Sequence, residues 1–177
     1  MGILYRASQF WKALTQKPDP DDLAFASQVL SPELMELFLS LQPGEQAHSL
    51  HIFKQLTLQG EKDPELLTAA LLHDVGKSRY PMMIWERVMI VLGKRLFPVE
   101  SVKWGQSDPK SWKRAFVVAE KHPAWGAEMA RQSGASPLVV NLIKNHQVRA
   151  VTNPGLENQT TLEQNLLYRL QVLDDKF

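Results

Sequence analysis

The chain has 177 residues, enough for one domain with a substantial core, and a formal net charge of +1, so the molecule as a whole carries no strong electrostatic instruction. It has no cysteine, which excludes disulfides and thiolate metal sites and fits a reducing compartment. The N-terminus lacks a basic, then apolar, then small-residue signal pattern, and the longest apolar run, Pro81 to Leu92, is interrupted by Glu86 and Arg87 and is too short to span a bilayer, so the expectation is a soluble cytoplasmic protein.

Ile3 to Leu14 reads as an amphipathic helix with Leu4, Phe10, Trp11 and Leu14 apolar. Pro18 and Pro20 break it, and Asp19-Pro20 starts a second helix through about Leu30. Ser31-Pro32 caps a third, whose inner side is Leu34, Met35, Leu37, Phe38 and Leu41. These helices carry no chemical pattern, and residues 1–42 read as a helical extension packed on a domain spanning 43–177. After the turn Pro43-Gly44, a helix from Glu45 to Leu58 bears the stripe Ala47, Leu50, Phe53 and Leu56. His48 borders that stripe; His51 is expected at the surface or behind the ligands.

The stretch Pro64 to Lys77, PELLTAALLHDVGK, has a helix start at Asp63-Pro64 and is apolar nearly all round. It delivers His73 and Asp74 side by side, and such groups are costly to bury unless something pairs with them. A divalent metal is one such partner; a histidine and an aspartate satisfied by nearby backbone is the other. The short link from the preceding helix makes the two antiparallel neighbours, so His48 can meet His73.

From Lys77 to Lys121 there are ten Lys or Arg against four Asp or Glu, whereas residues 1–76 hold ten acids against five bases. This basic segment, an insert over about 78–121, either covers the mouth of a site and attracts an anion, extends the core, or forms a dimer face. Pro81 to Phe97 reads as a helix with the stripe Trp85, Val88, Met89 and Leu92, Val99 to Ser107 as a loop, and Asp108-Pro109 as the start of a helix. Lys121-His122-Pro123 reads as a boundary before a short helix, Ser136-Pro137 as the cap of a helix ending at His146, Val148 to Gln159 as a loop, and Thr160 as the start of a last helix carrying Asp174. Trp104, Trp112 and Trp125 suit core packing, with base stacking the alternative. No stretch alternates with period two, so the expected fold is all-α: a single-domain helical bundle.

Together His48, His73, Asp74, His122, His146 and Asp174 are nitrogen and oxygen ligands on helices of a cysteine-free chain. The pattern resembles the HD-domain superfamily of metal-dependent phosphohydrolases, whose H…HD…D signature falls on His48, His73-Asp74 and Asp174 in "AHSLHIF", "AALLHDVGK" and "LQVLDD". The resemblance covers about Gln46 to Asp175. "HPAWGAEM" and "KNHQ" resemble the contexts of two further family histidines, which implies that His122 and His146 bind a second metal or face the substrate. No "DGxGYP"-type run follows His146, which argues against the cyclic-di-GMP-cleaving class, and Asn145 stands where many members have a first histidine. The layout looks most like the bacterial HD-type symmetric diadenosine tetraphosphate hydrolases.

The resemblance implies one or two divalent transition ions (Mn, Fe, Co, Ni or Zn, with Mg disfavoured by the imidazoles) and a metal-activated water that cleaves a phosphoester or phosphoanhydride. The substrate is expected to be a small phosphorylated compound, with a nucleotide first, and nucleic acid has only the local basic excess behind it. Asp74 would bridge metals or orient the water, and Lys77 and Arg79 would hold a phosphate. A degenerate HD module that binds a nucleotide or metal in a regulatory role is the alternative. A homo-oligomer stays open.

Overall fold

The computed structural model describes residues 17–148 and 161–176 and is all-α, with no strand among them. In chain order the helices are α1 (Pro20–Val29), α2 (Pro32–Leu39), α3 (Pro43–Leu58), α4 (Pro64–Leu72), α5 (Ile84–Leu96), α6 (Pro98–Gly105), α7 (Arg114–Gln132), α8 (Pro137–Asn145) and α9 (Leu162–Asp174), with a short 3-10 turn, Val75–Arg79, after α4. The predicted helix Ile3–Leu14 and nearly all of the predicted loop Val148–Gln159 lie outside the described residues. None of the described helices is long and apolar enough to cross a membrane.

Proline is the first residue of α1, α2, α3, α4, α6 and α8. There its missing N–H would have had no intrahelical partner anyway, and its fixed φ suits the helix. Prolines therefore set where most of the described helices begin. Side chains complete several starts: Asp19 accepts from Asp21 N, Ser31 from Leu34 N, Asp63 from Glu65 N and Leu66 N, and Ser136 from Val139 N.

Helix α4 is central. Every residue from Leu66 to Leu72 is buried, and α1, α2, α3, α8 and α9 pack around it. A fully buried leucine contributes about 1.5–3 kcal/mol, so the leucines of α4 offset the cost of burying the polar pair that follows them. Helices α1 and α2 add Ala26, Leu30, Leu34 and Phe38 to the same core. A smaller cluster of Met82, Ala115 and Val118, with Met89 and Ile90 packed against it, joins α5 to α7.

The 3-10 turn meets α7 backbone to backbone. A Cβ on Gly76 would lie 2.0 Å from the His122 carbonyl oxygen and 2.6 Å from Gly126 N, and a Cβ on Gly126 would lie 3.0 Å from Gly76 N. Two facing glycines thus let the segment after Asp74 rest directly on the helix that carries His122.

Several expectations are corrected. Helix α7 runs unbroken through His122-Pro123. The proline removes the backbone donor that would reach Ala119, but Phe116, Val118, Gly126 and Ala130 are buried on either side of it, and that packing carries the helix across. Val99–Ser107 is mostly helix α6, because Pro98 presets its first turn and Gly105 lets it lie on α7, where a Cβ would sit 2.9 Å from Glu120 Cβ. Asp108 does not start a helix; its carboxylate accepts from Lys110 N at 2.8 Å and closes a turn, and α7 begins at Arg114.

The stripe on α5 is not a core face. Met89 packs inward, but Trp85, Val88 and Leu92 are exposed. Polar contacts hold this helix instead: buried Glu86 pairs with Arg114 at 2.7 Å, and Arg87 pairs with buried Glu45 on α3 at 2.7 Å. Gly93 makes room for the Phe116 ring. Trp104 packs among Phe97, Trp112 and Phe116, whereas Trp112 itself is exposed.

Gly76→Ala should destabilise the protein by about 2–3 kcal/mol, the upper range for overpacking a rigid contact. The expected reading is a lowered urea midpoint with an unchanged slope. A midpoint equal to wild type would show that the turn can move off α7.

Candidate metal centre

The C-terminal end of α4 delivers His73 and Asp74 with both side chains buried. Around them, α3 brings His48, the middle of α7 brings His122, the end of α8 brings His146 and the end of α9 brings Asp174. The imidazoles are contiguous: ring centroids are 5.5 Å apart for His48 and His73, 5.1 Å for His73 and His146, and 5.2 Å for His122 and His146.

Three rings are held by their own helices. Nδ1 of His73 lies 2.9 Å from the Ala70 carbonyl oxygen, Nδ1 of His122 lies 2.9 Å from that of Val118, and Nδ1 of His146 lies 2.7 Å from that of Ile143. A carbonyl only accepts, so each Nδ1 donates and each Nε2 is turned inward. Nε2 of His122 and of His146 are 3.3 Å apart. Burial lowers the pKa of both; His146 falls to about 3, with the charge on His73 adding to the effect. Both rings are therefore neutral at pH 7, and two inward lone pairs at that distance could hold a cation between them.

His73 behaves differently. Burial alone would lower its pKa, but Asp74 and Asp174 outweigh it and hold the ring up to about 9. Its Nε2 is buried without a hydrogen bond among the described residues, with Asp174 Oδ1 at 3.4 Å and Asp74 Oδ2 at 3.6 Å. Asp174 Oδ1 also takes His48 Nε2 at 3.0 Å.

The Asp74 carboxylate has one oxygen for each side. Oδ1 lies 3.2 Å from His122 Nε2 and 3.9 Å from His146 Nε2, while Oδ2 faces His73 and accepts from Lys77 Nζ at 2.5 Å. Burial works against its ionisation, yet Lys77 and the charged ring of His73 keep it well below the usual carboxylate range. The ligand atoms of His48, His73 and Asp74 all lie within 4.8 Å of one another, as do those of Asp74, His122 and His146. Buried imidazoles with inward Nε2 atoms, one of them orphaned, beside an ionised carboxylate fit a divalent metal.

The predicted site residues are not all brought together. Arg79 is exposed, with its guanidinium 5.3 Å from the Trp125 ring centroid in a groove lined by Glu33, Glu36 and Glu128 and by none of the predicted metal ligands. In a 3-10 turn, residues three apart share a face, so Lys77 returns to Asp74 and Arg79 points elsewhere. His51 is exposed on α3. Asn145 Nδ2 donates to the Asn141 carbonyl oxygen at 3.0 Å, turned onto its own helix. Two glutamines escaped the sequence reading. Gln147 Nε2 lies 3.4 Å from His122 Nε2, and its place beside His146 was a usable signal. Gln171 donates to the carbonyl oxygens of Asn145 and Val148 at 3.1 and 2.7 Å and ties α9 to the end of α8; nothing local in the sequence announces that pairing.

Elemental analysis of the purified protein should find a divalent metal, strongly reduced in His73→Ala and Asp74→Ala; equal content in all three would refute the site. The raised pKa of His73 also has a sign. In metal-free protein its ion pairs stabilise the fold fully below about pH 6.5, the unfolded value, and that contribution is lost as pH rises through about 9. Chelator-treated wild type should therefore lose stability between those pH values, and His73→Gln should lose less. A metal needs the neutral ring, so metal uptake at pH 7 should release a proton, measurable by calorimetry in buffers of different ionisation enthalpy.

No curated protein and no solved structure matches the chain significantly. The sequence model of the HD domain family matches residues 44–174. That span is well over half of the chain and runs from just before His48 to Asp174 itself, so the chain belongs to the HD domain family.

Proposed function

We propose that this protein is a metal-dependent phosphohydrolase that cleaves a phosphoester or phosphoanhydride bond in a nucleotide or other small phosphorylated compound. The observation that carries this reading is the Asp74 carboxylate, with Oδ1 toward His122 and His146 and Oδ2 toward His73. His48, His73, Asp74 and Asp174 would hold one ion, and Asp74, His122 and His146 a second. Imidazole-rich donors favour Mn, Fe, Co, Ni or Zn over Mg, which prefers oxygens and its own waters. Membership of the HD family supports the same chemistry.

Bound there, such ions supply an acidified water and draw charge from phosphoryl oxygens. The chain's residues do the positioning. The carbonyls of Ala70, Val118 and Ile143 fix three imidazoles with Nε2 inward. Asp174 orients His48 through a 3.0 Å contact. Lys77, partly exposed and paired with Asp74, aligns that carboxylate and offers an ammonium at the edge of the site for a phosphoryl oxygen. Arg79, turned over Trp125, has no part in this reading. Residues 1–42 serve as the scaffold of the domain that follows.

A panel of nucleotides, dinucleoside polyphosphates and a generic phosphodiester, run with Mn, Fe, Co and Mg, tests the proposal. Turnover should need a transition metal and should fall by about a hundredfold or more in His73→Ala and Asp74→Ala, since even residues behind the ligands are worth about 10–100-fold. Lys77→Gln should lower turnover while metal content stays near wild type. Metal-loaded protein that turns over nothing on the panel would point instead to a regulatory module that binds a nucleotide or metal.

A further inference from the structure

We propose that the outer face of the insert, formed by α5, α6 and the turn to Trp112, docks on an anionic lipid surface. Ten of the seventeen exposed large hydrophobic residues among those described fall between Met83 and Trp112, so the exposure is concentrated in one segment. On α5 they form a stripe, Trp85, Val88, Leu92 and Leu96, at spacings that keep one helical face. Phe97 continues the stripe, and Trp104, 6.1 Å from Phe97 and 5.8 Å from Trp112 between ring centroids, links it to Trp112. Trp85, Leu92, Leu96, Phe97 and Trp112 are each 51–68 % exposed. Contiguous apolar exposure of this kind marks an interaction surface.

Charge selects the occupant. Glu86 is turned inward to Arg114, so it does not offset the positive charge around the face. Lys94, Arg95, Lys103 and Lys110 are exposed on the same segment, against Glu100 and Asp108. Apolar and aromatic side chains on a segment with exposed lysine and arginine match a headgroup layer of opposite charge, where the rings sit at the interface and the long cations reach the phosphates. A second copy docking on the same face would bring like charges together. Lys17 lines a groove of about 920 Å³ with Met83, Trp85 and Val88, so the charge at that edge is also positive. Because no described helix can cross a bilayer, the contact is with its surface.

Co-sedimentation of the full chain with phosphatidylcholine vesicles, with and without phosphatidylglycerol, tests this. Wild type should sediment with the anionic vesicles far more than with the neutral ones, and binding should fall as salt screens the charges. Leu92→Glu with Leu96→Glu should weaken binding at least tenfold, and so should Lys94→Gln, Arg95→Gln and Lys103→Gln together. Both variants should keep wild-type helix and metal content, which excludes unfolding as the cause. Equal partition into neutral and anionic vesicles would overturn the proposal. So would a wild-type dimer that the glutamate variant makes monomeric, which assigns the face to a second copy. A monomer that binds no vesicle would equally overturn the proposal.

Discussion

Asp74 is a carboxylate buried at the end of an apolar helix, and the elements around the site are arranged to keep it ionised. Without compensation such a group would take up a proton, because removing its charge from water costs several kcal/mol. Lys77 and His73 supply opposite charge, and His122, His146 and Asp174 stand just behind them. The requirement reaches far into the fold. Gly76 and Gly126 must lack side chains for the turn after Asp74 to approach His122, and Gln171 must hold α9 against α8 so that Asp174 meets His48 and His73.

The same site separates its imidazoles by charge. His73 lies between Asp74 and Asp174 and binds a proton strongly, while His122 and His146, also buried but with Asp74 as the one carboxylate acting on them, do not. A metal on the His73 side would therefore have to displace a proton, and one on the His122 side would not, although the two sides share a carboxylate.

Much of this was legible because ligand chemistry and helix starts are local. Asp63-Pro64, Ser31-Pro32 and Ser136-Pro137 begin helices where the sequence places them, and the spaced histidine, HD pair and aspartate resemble the family whose model matches the chain. Arg79 and Pro123 were not legible, for different reasons. Arg79 depended on a 3-10 turn whose period differs from that of an α-helix. Pro123 depended on burial on both sides of it, which outweighs one missing hydrogen bond. Helix α6 required Gly105 to be read as a contact with Glu120 and not as a break.

The α5 stripe is a further case, because periodicity reports that a face is apolar and not what it faces. Helix α5 has two such faces. The inner one is held to α7 by Met89, Gly93 and the buried Glu86, and to α3 by Arg87 on Glu45, one turn before His48. Removing Arg87 would leave Glu45 buried and unpaired, a loss of about 3–5 kcal/mol for such a pair. Anchored this way on two helices that carry histidines of the candidate metal centre, α5 is not a freely swinging lid. The basic excess of the insert is likewise divided: Lys77 goes to Asp74, Arg87 and Arg114 to buried glutamates, and Arg79 and Lys113 lie over tryptophan rings. The charges exposed on the outer face are a separate population, and they accompany the apolar stripe that the core leaves uncovered.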